Sequence, residues 1–433
     1  VRIISLNIDR REEEEVKKLK GWIMVYGRRK TGKTYMLRKV FREAQYFMIT
    51  RAGYVIHEEG GRYTYVNVKE AISRVGSLLD NGETVIIDEF QRLPEFLWEE
   101  LALHHPKGKL IVSGSSLGML SKVFDRRSPL LGLLSPLKLD IISYQDTIMA
   151  LKNLVKTPRD AMMWGLIFRD PWVIPMLSIE ADIITEICGK AYYLATSIHG
   201  LIGEVFEEEE RALTRVYDAI LRLVGEGMWK PSEIAGVLAS NNMITGGQAT
   251  VIGMLERLVN MGLLEKIPLW RTRGARFYFK HRSPIASIIQ YIDQKLNITE
   301  NPNTNVGREI VMTAISREIQ FSLGEMLAEY IGGRRAYAIL PNGDIDIVVL
   351  DERRRTPIIG YEVKIGEMEV SEARKAIERI HEQGIPRAGL ISVSAKPPKV
   401  PGSYEEIGPE EIIEIASKMR SKRSLGKSAN SSK

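Results

Sequence analysis

Short, continuous apolar runs alternate with segments of helical spacing through the first third of the chain. Trp22-Ile23-Met24-Val25-Tyr26, Val85-Ile86-Ile87 and Leu110-Ile111-Val112 are uniformly apolar and too short for helices, the pattern of strands buried on both faces. Tyr46–Thr50 and Tyr63–Val68 are further strand patches. Tyr35 to Phe41 and Lys69 to Leu79 have helical spacing, and the acidic-basic stretch Arg10 to Lys20 reads as a solvated helix leading into the first strand. Such alternation predicts a parallel sheet covered on both faces, an α/β fold.

Beyond Asp140 the pattern changes. To about Glu210 it is helical and rich in Ile, Leu and Met, with Pro158, Pro171 and Pro175 as breaks and Glu207–Glu210 as an exposed face. Leu213 to Arg282 reads as a winged helix. Its helices run from Val216 to Leu223, onward from Pro231-Ser232-Glu233 with the serine as cap, and from Thr245 to Met261, where Gly262 supplies a left-handed stop. A hairpin-like wing follows at Leu269 to Lys280, in which Arg271, Arg273, Arg276 and Lys280 interleave with aromatics and suit a phosphate backbone. Gln248, Thr250 and Arg257 are the polar readers on the third helix. After the polar linker Asn297–Asn305 comes an αβββαβ order: a helix from Val306 to about Tyr330, interrupted near Gly324, then strands at Arg335–Leu340, Asp344–Leu350 and Ile358–Ile365, a helix at Ser371–Gln383 and a strand at Ala388–Val393.

Chemistry enters at the end of the first strand. Gly27-Arg28-Arg29-Lys30-Thr31-Gly32-Lys33-Thr34 is a P-loop in its required strand–loop–helix setting. Its glycines let backbone N–H groups curl around phosphate oxygens at a helix N-terminus; Lys33 would reach the β- and γ-phosphates and the Thr34 hydroxyl would hold Mg2+. Glu83 to Phe90 ends a buried strand in paired acids, the Walker B pattern: Asp88 steadies Mg2+ and Glu89 polarises water as general base. Ser113 or Ser115, ending a third strand at the same sheet edge, would sense the γ-phosphate or else cap a turn.

A second constellation lies in the αβββαβ segment. Glu362 and Lys364, two apart on one strand, share a face; Asp346 on the adjoining hairpin arm can join them, and Glu309 on the first helix adds an oxygen. Asp346, Glu362 and Glu309 would hold Mg2+ or Mn2+, with Lys364 orienting or deprotonating water, the chemistry of phosphodiester hydrolysis. The alternative is a solvated hairpin with cross-strand Glu–Lys pairing.

Composition narrows the classes. At 433 residues, 44% hydrophobic and 27% charged, the chain has room for two to four domains. No apolar run approaches membrane-spanning length, no signal-peptide pattern opens the sequence, and the single cysteine, Cys188, excludes an intrachain disulfide, so a cytoplasmic protein is expected. The net charge of +6 equals the excess carried by Lys418, Arg420, Lys422, Arg423, Lys427 and Lys433. That tail is expected to be disordered and open to non-specific nucleic-acid contact.

Three segments carry a family resemblance: Gly27–Thr34, Ile86-Ile87-Asp88-Glu89-Phe90-Gln91-Arg92-Leu93 and Ser113-Gly114-Ser115-Ser116. They resemble the archaeal ATPase group of AAA+-like, STAND-type P-loop NTPases. Pro129-Leu130-Leu131-Gly132-Leu133 departs from that family's Pro-Leu-Tyr-Gly-Arg element, so the chain either lacks that arginine or substitutes Arg126 or Arg127 for it. The resemblance implies ATP and Mg2+ as ligands, a helical lid on the nucleotide domain, and compatibility with homo-oligomers. Gly307 to about Ser394 looks like the PD-(D/E)XK nuclease fold, without the proline of the name. The expected organisation is a P-loop ATPase domain over 1–140, a helical lid over 141–211, a winged helix over 212–296, a nuclease-like domain over 303–416 and a basic disordered tail over 417–433. Three functions fit: an ATP-controlled, DNA-associated switch; a metal-dependent DNA endonuclease with ATP as effector; and a non-catalytic signalling scaffold.

Overall fold

A computed structural model describes residues 6–59, 61–115, 117–208, 214–272, 276–341 and 343–425. Ser116, Arg273, Glu209, Glu210 and the tail beyond Leu425, with Lys427 and Lys433, lie outside the described residues.

Helix α1 (Arg11–Lys18) precedes strand β1 (Trp22–Tyr26), the P-loop and α2 (Lys33–Val40). Then come β2 (Gln45–Ile49), β3 (Tyr54–Glu59), β4 (Arg62–Asn67), α3 (Val68–Asp80), β5 (Thr84–Asp88), α4 (Trp98–Ala102), β6 (Lys109–Gly114), α5 (Leu117–Val123) and β7 (Leu134–Lys138). The sheet order is β4-β3-β2-β5-β6-β1-β7. The five strands from β2 to β7 are parallel, and β3 and β4 extend the sheet as an antiparallel hairpin. Strand β3 went unforeseen, because Tyr54-Val55-Ile56-His57-Glu58-Glu59 mixes polar positions into the run. Strand β6 sits between β1 and β5, so the loop after β1 and the acids ending β5 meet across one strand at the same sheet edge.

The expectation of a solvated first helix is corrected. Arg10, Glu12, Glu13 and Val16 are buried, because the Arg10 guanidinium plugs into the domain, donating to Thr31 O and Asp140 O at 2.6 Å each.

Helices α6 (Tyr144–Leu151), α7 (Pro158–Ile167) and the long α8 (Ile183–Glu208) follow as a helical layer. A three-helix unit comes next: α9 (Arg215–Glu226), α10 (Pro231–Ser240) and α11 (Gln248–Asn260). Pro231 occupies the first turn of α10, so Ser232 is not its cap. Gly262 stops α11 at φ +72°. The antiparallel pair β8 (Leu264–Pro268) and β9 (Phe277–His281) and the buried helix α12 (Pro284–Leu296) complete this part.

The remainder is α13 (Arg308–Ile331), β10 (Arg334–Ala338), β11 (Ile345–Leu350), β12 (Pro357–Lys364), α14 (Val370–Glu382), β13 (Ala388–Ser392), β14 (Ser403–Ile407) and α15 (Pro409–Leu425). Helix α13 is continuous through Gly324, because that glycine seats against Ile347; an added Cβ would lie 3.4 Å from the Ile347 side chain. Its sheet runs β10-β11-β12-β13-β14, antiparallel up to β12 and parallel beyond. One face, bearing Ile347, Val349 and Tyr361, joins the core shared with α13 and α15; the other, bearing Val348 and Leu390, packs on α14.

The basic tail is corrected over its described part. Residues 417–425 continue α15, and Arg420 and Arg423 bind Asp9, before α1, and Asp146 of α6 at 2.5 and 2.8 Å. Lys418 pairs with Glu414, and Lys422 lies over the Tyr330 ring. Helix formation gives these cations carboxylates and an aromatic face within reach, so they pair inside the chain. Cys188 is half-buried on α8, and burial pushes its thiol up. Among the described residues no helix is long and apolar enough to cross a membrane.

Candidate functional site

The loop between β1 and α2 is shaped by two glycines. A Cβ on Gly27 would fall 1.9 Å from Leu139 O, so a side chain there is excluded; Gly32 adopts φ +89° at the entry to α2. Lys33 is buried and donates from Nζ to Gly27 O at 2.8 Å and Arg28 O at 2.9 Å, its ammonium held inside the loop by carbonyls. The Thr34 hydroxyl donates to Asp88 Oδ2 at 2.6 Å, joining positions far apart in sequence. The other Asp88 oxygen accepts the Glu89 amide at 3.0 Å. Glu89 is held by Gln91 at 2.8 Å and Arg92 at 3.0 Å, and Gln91 also donates to Ser115. Its φ of +59° turns the chain sharply at the strand end, placing the second acid beside the first.

A cavity of about 700 Å³ opens over this arrangement. Its lining joins the polar Arg29, Lys30, Lys33, Thr34, Glu89 and Ser115 to the apolar Leu6, Ile8, Pro171, Trp172, Ile174 and Met176. The apolar walls come from the segment before α1 and the Pro171–Met176 turn of the helical layer. Sequence reasoning missed them because nothing local marks Leu6 or Trp172 as facing the loop. Ser115 lines the cavity, whereas Ser113 is fully buried beneath it beside Val25 and does not. Arg28 also points elsewhere, pairing with buried Asp170 at 2.6 Å, and Arg29 pairs with Glu204 of α8 at 2.6 Å. The Thr31 hydroxyl donates to Arg28 O within the loop. Arg126 and Arg127 are exposed and absent from the cavity wall; Arg10 lines it instead.

The residues present suit a magnesium-bound triphosphate. The Thr34 hydroxyl and the Asp88 carboxylate already share one hydrogen bond, and hard oxygen donors of this kind hold Mg2+ together with a nucleotide's phosphates.

Arg10 also connects the loop to a buried charge cluster that spans the chain. Arg282 binds Asp140, Glu265 and Glu325 at 3.2, 2.8 and 3.1 Å. Arg169 binds Glu325 at 2.6 Å, Arg335 binds Glu265 at 2.6 Å, and Lys280 binds Glu265 and Glu318 at 3.2 and 2.8 Å. Four acids and four cations thus meet from the P-loop sheet's end, the helical layer, the β8–β9 unit and the α13 region. Burial alone would raise the Glu265 carboxyl, but Arg335, Lys280 and Arg282 together hold it well below the usual range.

Two consequences bear on the wing. Lys280, expected to grip phosphate, is buried in this cluster, and Arg271 lies over Trp270 and donates to Gln383 O. The loop after β8 docks along β10, with Trp270 N–H donating to Tyr337 O at 2.9 Å, so the hairpin leans on the C-terminal sheet. The third-helix readers differ among themselves. Gln248 and Thr250 are exposed, while Arg257 donates to the Tyr217 hydroxyl.

In the C-terminal sheet, Asp346 and Glu362 come together and Glu309 does not. The β11–β12 register pairs Ile347 with Tyr361, which sets Asp346 opposite Glu362 on the α14 face. Asp346 accepts the Val363 amide at 2.8 Å; burial and the Glu362 charge push its carboxyl up to about 7. Burial also raises Glu362, which Arg379 of α14 contacts at 2.5 Å, while Lys364 reaches Glu372 at 2.5 Å rather than its strand neighbour. Glu309 is exposed near the start of α13, which covers the opposite face of the sheet, and stands roughly 22 Å along the helix from the turn that packs on Ile347. The expected Glu309–Asp346–Glu362 metal site is therefore not assembled. Among the described residues no group of three His, Cys, Asp or Glu side chains is placed to hold a metal ion.

Residues 20–139 match the AAA domain family AAA_14. No curated protein matches the chain. Among solved structures, the Walker-type ATPase of Pyrococcus abyssi is similar at 20% identity over 66% of this chain and 96% of its own, with a TM-score of 0.46. The ORC2 protein of Aeropyrum pernix is similar at 15% identity over 70% and 89%, with a TM-score of 0.39. A STAND protein with a tetratricopeptide repeat sensor from Pyrococcus horikoshii follows at 16% over 76% and 50%, with a TM-score of 0.29. Residues 20–139 thus match an AAA domain family, and the arrangement of loop, paired acids and sheet agrees with that match.

Proposed function

We propose that this chain binds ATP with Mg2+ in the cavity over the P-loop, hydrolyses it, and uses the nucleotide state to set how its C-terminal parts sit against the ATPase domain. The observation that carries the reading is the Thr34–Asp88 contact at a cavity lined by both the loop's polar groups and apolar side chains. Phosphates suit the glycine-bent loop, and a purine suits the wall made by Leu6, Ile8 and Trp172. Thr34 and Asp88 would hold Mg2+, which would neutralise phosphate charge; Lys33 would turn from its loop carbonyls to phosphate oxygens, and Glu89, now held by Gln91 and Arg92, would take the proton of the attacking water.

Switching is supported by the contacts the loop makes. Arg28 and Arg29 pair with Asp170 and Glu204, and Arg10, which donates to Thr31 O, also donates to Asp140 O of the charge cluster, so reshaping the loop strains each of those contacts. DNA association rests on the winged-helix order of residues 215–281, with the exposed side of α11 as the face for it, since the wing's Lys280 and Arg271 are occupied within the chain. A second reading, metal-dependent phosphodiester cleavage, is favoured by the Asp346–Glu362 pair.

The test is calorimetry of Mg·ATP binding to the full chain and to Lys33→Ala. Micromolar binding lost in the variant is expected, and wild-type protein that evolves no heat with any Mg·nucleotide refutes the reading. Incubation with plasmid and Mn2+, against Asp346→Ala, decides the second.

A further inference from the structure

Tyr46 is the buried polar group closest to the Walker B acid that the nucleotide reading leaves unused. It lies on β2, opposite Ile86 of β5, and its ring runs beneath α2 towards the strand ends. Its hydroxyl donates to Asp88 Oδ2 at 2.6 Å, the same oxygen that accepts the Thr34 hydroxyl. The ring is held on its other side by Arg38, whose guanidinium stacks 4.1 Å from its centroid and is itself tied to Glu58 at 2.8 Å. Asp88 thus has three donors: Thr34, Tyr46 and the Glu89 amide.

We infer that Tyr46 is a positioning residue for the metal half of the nucleotide site, anchoring the Asp88 carboxylate so that it keeps its orientation when Thr34 is drawn away. The inference rests on the nucleotide reading. When the Thr34 hydroxyl turns to a metal ion, Tyr46 remains the side-chain donor on Asp88, and its phenol fixes one lone pair while leaving the other for metal-bound water. Without it, the carboxylate can rotate, and the energy of metal binding is partly lost to reordering. Nucleotide contacts that need no metal, through Lys33 and the loop amides, are unaffected.

The experiment is ATP calorimetry on the full-length chain, in EDTA and across a Mg2+ series, with Tyr46→Phe, Asp88→Asn and the double variant. In EDTA, Tyr46→Phe is expected to bind ATP within about twofold of wild type. The gain in affinity brought by Mg2+ is expected to fall about tenfold, the size of one hydrogen bond to a charged group. In the Asp88→Asn background the same change should cost no further Mg2+-dependent affinity, because the two act as one unit. A wild-type Mg2+ gain in Tyr46→Phe, or an undiminished loss with Asp88→Asn present, overturns the inference. Should Tyr46→Phe fail to fold, Arg38→Met loosens the same ring from an exposed helix position. A Mg2+ gain reduced about twofold supports the anchor, and an unchanged one overturns it. Wild-type protein that binds no ATP at any Mg2+ concentration removes the nucleotide reading, and this inference with it.

Discussion

Replacing Arg282 by methionine tests whether the buried charge cluster holds the chain together. The guanidinium contacts Asp140, Glu265 and Glu325, which belong to three different parts of the fold, and it is well shielded from solvent. Methionine fills much of the volume but leaves four carboxylates facing three cations. Breaking a buried ion pair from one side costs about 3–5 kcal/mol, since the remaining charge keeps its desolvation without its partner. Each kcal/mol lowers the melting temperature of a unit of 150–250 residues by about 2–4 °C, so a fall of roughly 10 °C in the first unfolding transition is expected. The sign with pH is also fixed. In the variant, a carboxylate that has lost its cation has a raised folded-state pKa, so its contribution is present at low pH and lost as pH rises. The deficit should therefore shrink on moving from pH 8 to pH 5. Adding Glu265→Gln restores neutrality, while Lys280 keeps Glu318 and Arg335 keeps Phe321 O, and should recover about half of the loss. Urea and thermal unfolding followed by fluorescence measure all three proteins. An Arg282→Met protein within about 0.5 kcal/mol of wild type at pH 8 would refute the cluster as a structural junction.

Three further outcomes are expected. Glu89→Gln should bind Mg·ATP as the wild type does and turn it over at least about a hundredfold more slowly, measured by phosphate release. Asp346→Asn should stabilise the metal-free chain at pH 8 by about 1–3 kcal/mol and leave it unchanged at pH 4. The raised carboxyl favours the folded state below its unfolded value near 3.8, and that contribution is lost as pH rises through about 7; denaturant melts at the two pH values read it directly. Arg423→Met should leave Asp146, which is buried and already raised by burial, without its cation. Faster proteolytic release of α15, at unchanged overall fold, is the expected result by limited trypsin digestion.

The glycine-bent loop and the acids at the end of β5 were legible because their chemistry is local. Gly27 to Thr34 dictate their own backbone path, and Val85 to Glu89 are a buried strand that must end in its acids, so two short segments fix both halves of the site. The C-terminal hairpin was legible for a related reason: strand period and register place Asp346 opposite Glu362 once the two strands pair. Glu309 shows where that logic stops. Its helix was correctly expected, but a helix's periodicity does not say which face of a sheet it covers, and α13 covers the one that Asp346 does not share.

Charged side chains divide along the same line. Lys280, Arg271, Arg420 and Arg423 look alike in sequence to solvated or phosphate-gripping cations, and each is bound within the chain. Their partners lie tens to hundreds of residues away, and only tertiary packing brings a carboxylate or carbonyl close enough for Coulomb attraction to outweigh hydration. The sequence by itself determined many of the elements, the P-loop with its acids, and the α/β character, all of which follow from backbone preference and hydrophobic period within a few residues. The tertiary structure alone decided the apolar lining of the cavity, the four-part charge cluster, the hydrogen bond from Tyr46 to Asp88, and the partners of Lys280, Arg271, Arg420 and Arg423, because those depend on distances that chain order does not encode.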